Sequence, residues 1–221
     1  MTQAIERARS EQTADLLVSL VEAEGTGNHS YAKAPGLLNG REAVRSLADS
    51  AHYLCVLHGR FPGVIDHAAT TTSHPAAQGW LADAAEAFAA ERSLLTRLAV
   101  AAGPLPSTPG QAECEATVLH QRHALDMLAR SERSGCALGA ALALALDWRS
   151  IRAVLDVAAR RVSIEPQACI LPSEDETRTV AMIVAETSSY ERAMVFGAQQ
   201  LLAQHRGLWD LLEARHLARA A

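Results

Sequence analysis

The sequence predicts an all-α fold: an up-and-down helical bundle of about six helices, with a four-helix core and peripheral helices. Three observations carry that expectation. Apolar residues recur at helical spacing along most of the chain. Alternating strand patterns are scarce, and "CILP" (Cys169–Pro172) is too short to build a sheet. Aromatics make up 4% of a chain that is 49% hydrophobic, so core volume must come from Ala, Leu and Val, which suits close-packed helices. With 221 residues the chain can bury one sizeable core. One helical domain is expected over 1–221, with an N-terminal helix and loop in 1–40 and the bundle core in 41–217.

The first segment, Thr2 to Glu24, carries Leu16, Leu17, Leu20 and Val21 and stops at "GTG". Gly25 to Gly40 is rich in turn formers and reads as a loop. The second segment, Arg41 to His58, has Val44, Leu47, Ala51 and Leu54 on one stripe, and Gly59 ends it. A connector follows, with one short helical turn after Pro62. The third segment starts at Pro75, a residue favoured in a first turn, and runs to about Ala102. The fourth spans Gln111 to about Ser131. The fifth spans about Gly135 to Val162, and its first half, "CALGAALALALDW", is apolar nearly all round, as in a helix surrounded by others. The sixth starts near Ser173, where "SED" is an N-terminal signal, and extends to Leu217 with a kink at Ser188–Ser189.

Charge and cysteine content narrow the function classes. The net charge is −5 and no basic stretch is dense enough to follow a phosphate backbone, so nucleic acid is not an expected partner. The apolar run from Cys136 to Trp148 is too short to span a bilayer, so no membrane is expected either. Cys55, Cys114, Cys136 and Cys169 form no CxxC pair and match no zinc framework; they read as reduced, buried apolar residues of a cytoplasmic protein. No GxSxG, GxGxxG or P-loop is present. "CVLH" places Cys55 and His58 three apart on a helix, without a group to orient the imidazole.

The segment "LHGRFPGVIDHAA" (Leu57–Ala69) resembles one found in uncharacterised small helical proteins of alphaproteobacteria, which implies a bacterial protein and brings no activity with it. In architecture alone the chain resembles the ferritin-like di-iron bundles. That family is marked by two inward ExxH pairs and two further glutamates. The chain's ExxH, Glu213 to His216, lies five residues from the C-terminus and departs from the pattern.

The candidate functional residues are polar groups on apolar stripes. Glu91 lies between Phe88 and Leu95, and Glu191 interrupts the stripe of the sixth segment. His120 and His123 lie three apart, and Asp147 falls in line with Leu144 and Ile151. If each segment turns back antiparallel, Glu91 and the two histidines come level roughly 18 Å from their shared loop. Asp147 and Glu191 join them. The expectation is therefore a middle layer of Glu91, His120, His123, Asp147 and Glu191, a mixed carboxylate and imidazole set suited to Fe, Mn or Zn. The structural alternative pairs the glutamates with Arg149, Arg152 or Arg192. His120 and His123 are then solvated, and Trp80, Trp148 and Trp209 are core or end-seal residues.

The same counting gathers His58, His67, His74 and His205 at one rim of the bundle, away from the acidic layer. His52 sits nearer the middle, beside Asp49. Two function classes follow. One is a non-enzymatic helical protein acting as a homo-oligomer or with a protein partner. The other is a metal- or small-ligand-binding bundle, an oxidoreductase among its options, using the acidic layer.

Overall fold

The computed structural model describes the backbone of residues 2–220 and the side chains of residues 8–219. Met1 and Ala221, the ends of the expected domain, lie outside the described residues. Regular structure among the described residues is all helical, with nine α-helices and two 3-10 turns.

Helix starts follow local chemistry. Helix α1 is Thr2–Glu24. The expected loop after it carries 3-10 turns at Thr26–Asn28 and Tyr31–Lys33 and a single-turn α2 at Pro35–Leu38. Helix α3, Ala43–His58, ends at Gly59 as expected. The connector beyond holds a full helix, α4 (Val64–Thr71), where one turn was expected. Its first turn is fixed by Asp66, whose Oδ2 accepts the Gly63 N–H at 2.7 Å. Helix α5 is Pro75–Ala101, with His74 Nδ1 accepting the Ala76 N–H. Helix α6 is Gln111–Ala129 and α7 is Cys136–Arg161.

The expected sixth helix is two helices. Helix α8, Glu174–Val184, begins with a reciprocal cap in which Ser173 Oγ accepts from the Glu176 N–H and Glu176 accepts from the Ser173 N–H. The chain breaks over 185–187 and restarts as α9, Ser188–Ala220. A kink at the two serines therefore becomes a helix start.

Helix α7 lies at the centre: every residue from Cys136 to Ala145 is buried. Helix α9 crosses it at backbone contact. A Cβ added to Gly139 would come within 2.0 Å of the Met194 carbonyl oxygen, and one added to Gly197 within 2.0 Å of that of Cys136. Only glycine permits this approach.

The pairings along the two helices ascend together. Gly135 meets Tyr190, Gly139 meets Met194, and Asp147 meets His205. Helices α7 and α9 thus run parallel, because the detour through α8 turns the chain once more. Helix α3 runs against α9, with His58 opposite His205 and Asp49 opposite Arg215. No helix among the described residues is long and apolar enough to cross a membrane.

Candidate functional site

Parallel α7 and α9 bring Asp147 and His205 to the same level, and the last turn of α3 adds His58. Two residues make three contacts with the Asp147 carboxylate: Thr26 donates through its backbone N–H to Oδ1 at 2.7 Å and through its hydroxyl to Oδ2 at 2.8 Å, and His205 Nδ1 lies 2.6 Å from Oδ2. On the far side of the imidazole, His205 Nε2 lies 2.9 Å from His58 Nε2. All four residues are buried.

The proton directions follow from one donor. The Trp209 indole N–H can only donate, and it reaches Thr26 Oγ1 at 2.8 Å. The Thr26 hydroxyl proton is thereby aimed at Asp147. Gly25 lets the loop press this close: a Cβ there would stand 2.6 Å from Asp147 Oδ1. His58 packs edge-on to Trp148 and Phe88, with ring centroids 5.5 and 6.3 Å away. Burial, and then the neighbouring His205, holds the His58 imidazole well below the ordinary histidine range, so it is neutral.

Among the described residues, each remaining buried carboxylate has its own cation. Glu91 accepts from Arg152 Nη1 at 2.6 Å and from the Trp148 indole at 2.9 Å. Asp66 takes both terminal nitrogens of Arg92, at 2.8 and 3.2 Å, while that guanidinium lies over Phe61 and Phe88. Asp49 binds Arg215 at 3.0 Å and also Arg219. Glu191 binds Arg9 of α1 at 2.7 Å. Trp148 joins two of these networks, since its indole N–H serves Glu91 and its ring meets His58.

The expected middle layer is not assembled. His120 and His123 are exposed on the outer side of α6. Glu91 and Glu191 take separate arginines, and Arg192, offered as a partner, is exposed. Asp147 belongs instead with the histidines. Among the described residues no group of three His, Cys, Asp or Glu is placed to hold a metal ion. Glu191 lies level with the start of α7 and not with Asp147, because α9 starts afresh at Ser188 and runs parallel to α7.

The rim cluster forms in half. His58 and His205 meet, whereas His74 caps α5 and bonds Glu186 at 3.2 Å, and His67 lies on α4 with its Nε2 unpartnered. Thr26, Arg9, Asp66, Arg215 and Arg219 were not singled out from the sequence. Arg215 and Arg219 had a signal, since they continue the stripe His205, Leu208, Leu212 beyond its apolar part. Thr26 had none, because its role depends on the loop backbone.

The model of a family of unknown function (DUF6975) matches residues 21–220. No curated protein and no solved structure matches the chain.

Proposed function

The chain belongs to the DUF6975 family, and from that premise we propose a non-enzymatic helical protein that acts by association, with a second copy of itself as the partner. The observation that carries this reading is the outer face of α6. Ala112, Ala116, Leu119, His123 and Met127 fall at helical spacing and are all exposed, opposite the face that Val118, Leu125 and Leu128 bury. Met127 is 62% exposed, far more than a lone core-side methionine would be. The buried carboxylates favour the same reading, since each is closed by a partner inside the protein.

In this reading α3, α5, α7 and α9 form the four-helix core, with the other helices peripheral. Along the chain, α5, α6 and α7 alternate in direction, with peripheral α6 returning between the two core helices. Residues 1–221 act as one domain; one buried apolar cluster extending from Ala14 to Leu212 supports that. The free cysteines fit the reducing bacterial cytoplasm.

Light scattering coupled to size exclusion tests the proposal. Wild type is expected to elute as a species heavier than one chain, and Leu119→Lys with Met127→Lys to elute as the monomer with unchanged helicity. A wild type that is monomeric at every concentration, or a double variant that still associates, rejects it.

A further inference from the structure

The geometry points to a second site, adjoining the first at Thr26: a cleft between the loop after α1 and α7 that takes an amphipathic monocarboxylate, an apolar chain of medium length with one anionic head. The cleft has a volume of about 350 Å³. One wall is a single stripe of α7, Ser150, Ala153, Val154 and Val157, spaced three, one and three residues apart. The other wall is the 3-10 segment with Lys33 and, from α2, Leu38.

Size excludes a helix as occupant, because a helix with its side chains is roughly 10–12 Å across. The space suits about a dozen water-sized groups, which is a chain of about ten carbons with a carboxylate. Apolar contact is supplied by Leu38, Ala153, Val154 and Val157. The lining holds one charged side chain, Lys33, and no acid. Lys33 is the chain's only lysine, is exposed, and forms no ion pair among the described residues. Arg161, outside the lining, donates from Nη2 to the Leu38 carbonyl at 2.9 Å and holds α2 against α7. An ammonium at the mouth of an apolar cleft complements a carboxylate and opposes a cationic head.

The floor reports on occupancy. Thr26 lines the cleft, and its hydroxyl accepts from the Trp209 indole. A bound chain that shifts Thr26 will change Trp209 emission. Site specificity has an independent readout, since Lys33 and the N-terminus are the only amines available to an acylating reagent.

The test titrates the full-length protein with sodium decanoate below its micelle concentration, followed by calorimetry and tryptophan fluorescence. Decan-1-ol and decyltrimethylammonium serve as head-group controls. The expected result is saturable one-to-one binding of decanoate and protection of Lys33 from acetic anhydride, read by mass spectrometry. Lys33→Gln should weaken decanoate at least tenfold and leave decan-1-ol unchanged. Ala153→Phe, at an exposed position of α7, should fill the cleft and remove both. The Lys33 protection assay on wild type keeps the proposal falsifiable if that variant folds poorly. Absence of saturable decanoate binding, unprotected Lys33, equal binding of the cationic amphiphile, or decanoate affinity unaffected by Lys33→Gln each overturns the proposal.

Discussion

The Nε2 atoms of His58 and His205 lie 2.9 Å apart, so one of them carries the proton between them and the other must accept it. Asp147 lies on the Nδ1 side of His205, and His58, packed against Phe88 and Trp148, is the ring kept neutral. The sign of the pH dependence follows. The His58 value is depressed in the fold relative to 6.5, so the unfolded chain binds the extra proton first on acidification. The contribution of neutral His58 is complete above about pH 6.5 and is lost as pH falls below it. Urea unfolding of wild type between pH 7.5 and 5 should lose up to about 1.4 kcal/mol per pH unit more than His58→Gln does. Parallel pH profiles for the two proteins would refute this.

Glu91 and Glu191 looked equivalent in sequence, each on an apolar stripe and each followed by arginine. Their surroundings differ. The Glu91–Arg152 pair is buried on both sides, and Glu91 also satisfies Trp148. The Arg9 side chain opposite Glu191 is 37% exposed. Glu91→Gln should cost on the order of 3 kcal/mol, because Arg152 is left buried and underpaired. Glu191→Gln should cost under about 1 kcal/mol. Chemical denaturation of both variants decides this, and equal losses would contradict the assignment.

The backbone contact of α7 with α9 separates one glycine from another. Gly139→Ala and Gly197→Ala must each push the helices apart and should cost about 1–3 kcal/mol. Gly79, in α5, has nothing within 4 Å of its added Cβ. Gly79→Ala should therefore stabilise the protein by up to about 1 kcal/mol through helix propensity. Thermal melts of the three variants provide the comparison, and a neutral Gly139→Ala would show that the crossing is looser than described.

Helix positions were legible because the signals are local: Pro75 in a first turn, Ser173 with Glu176 three residues on, Gly59 after His58. The direction of α9 was not. It depends on the break over 185–187, where "AETSS" reads equally well as a kink or as a fresh start. That single ambiguity moved Asp147 out of a supposed metal layer and onto His205. The pairing of Glu91 with Arg152 was legible, because α5 and α7 were both read with correct limits. Asp49 was noticed beside His52, yet its partners are Arg215 and Arg219, and His52 bonds the Gly103 carbonyl instead. Contacts that distant in sequence leave no spacing to read.

The cysteines yield the last expectation. All four are free, and Cys136 is buried at the α7–α9 crossing while Cys55, Cys114 and Cys169 are partly exposed. Burial raises the Cys55 and Cys169 thiols above their ordinary range, so both react slowly as thiols near neutral pH. Alkylation of the denatured chain without reductant should modify all four sites. In the native protein Cys136 should stay unmodified longest, because its backbone carbonyl lies against Gly197 and the residue is 1% exposed. Loosening that crossing by Gly197→Ala should speed Cys136 labelling without changing the rates at the other three sites. Mass spectrometry of timed samples reads each rate separately, and a Cys136 that labels as fast as Cys55 in wild type would refute the placement of α9 against α7.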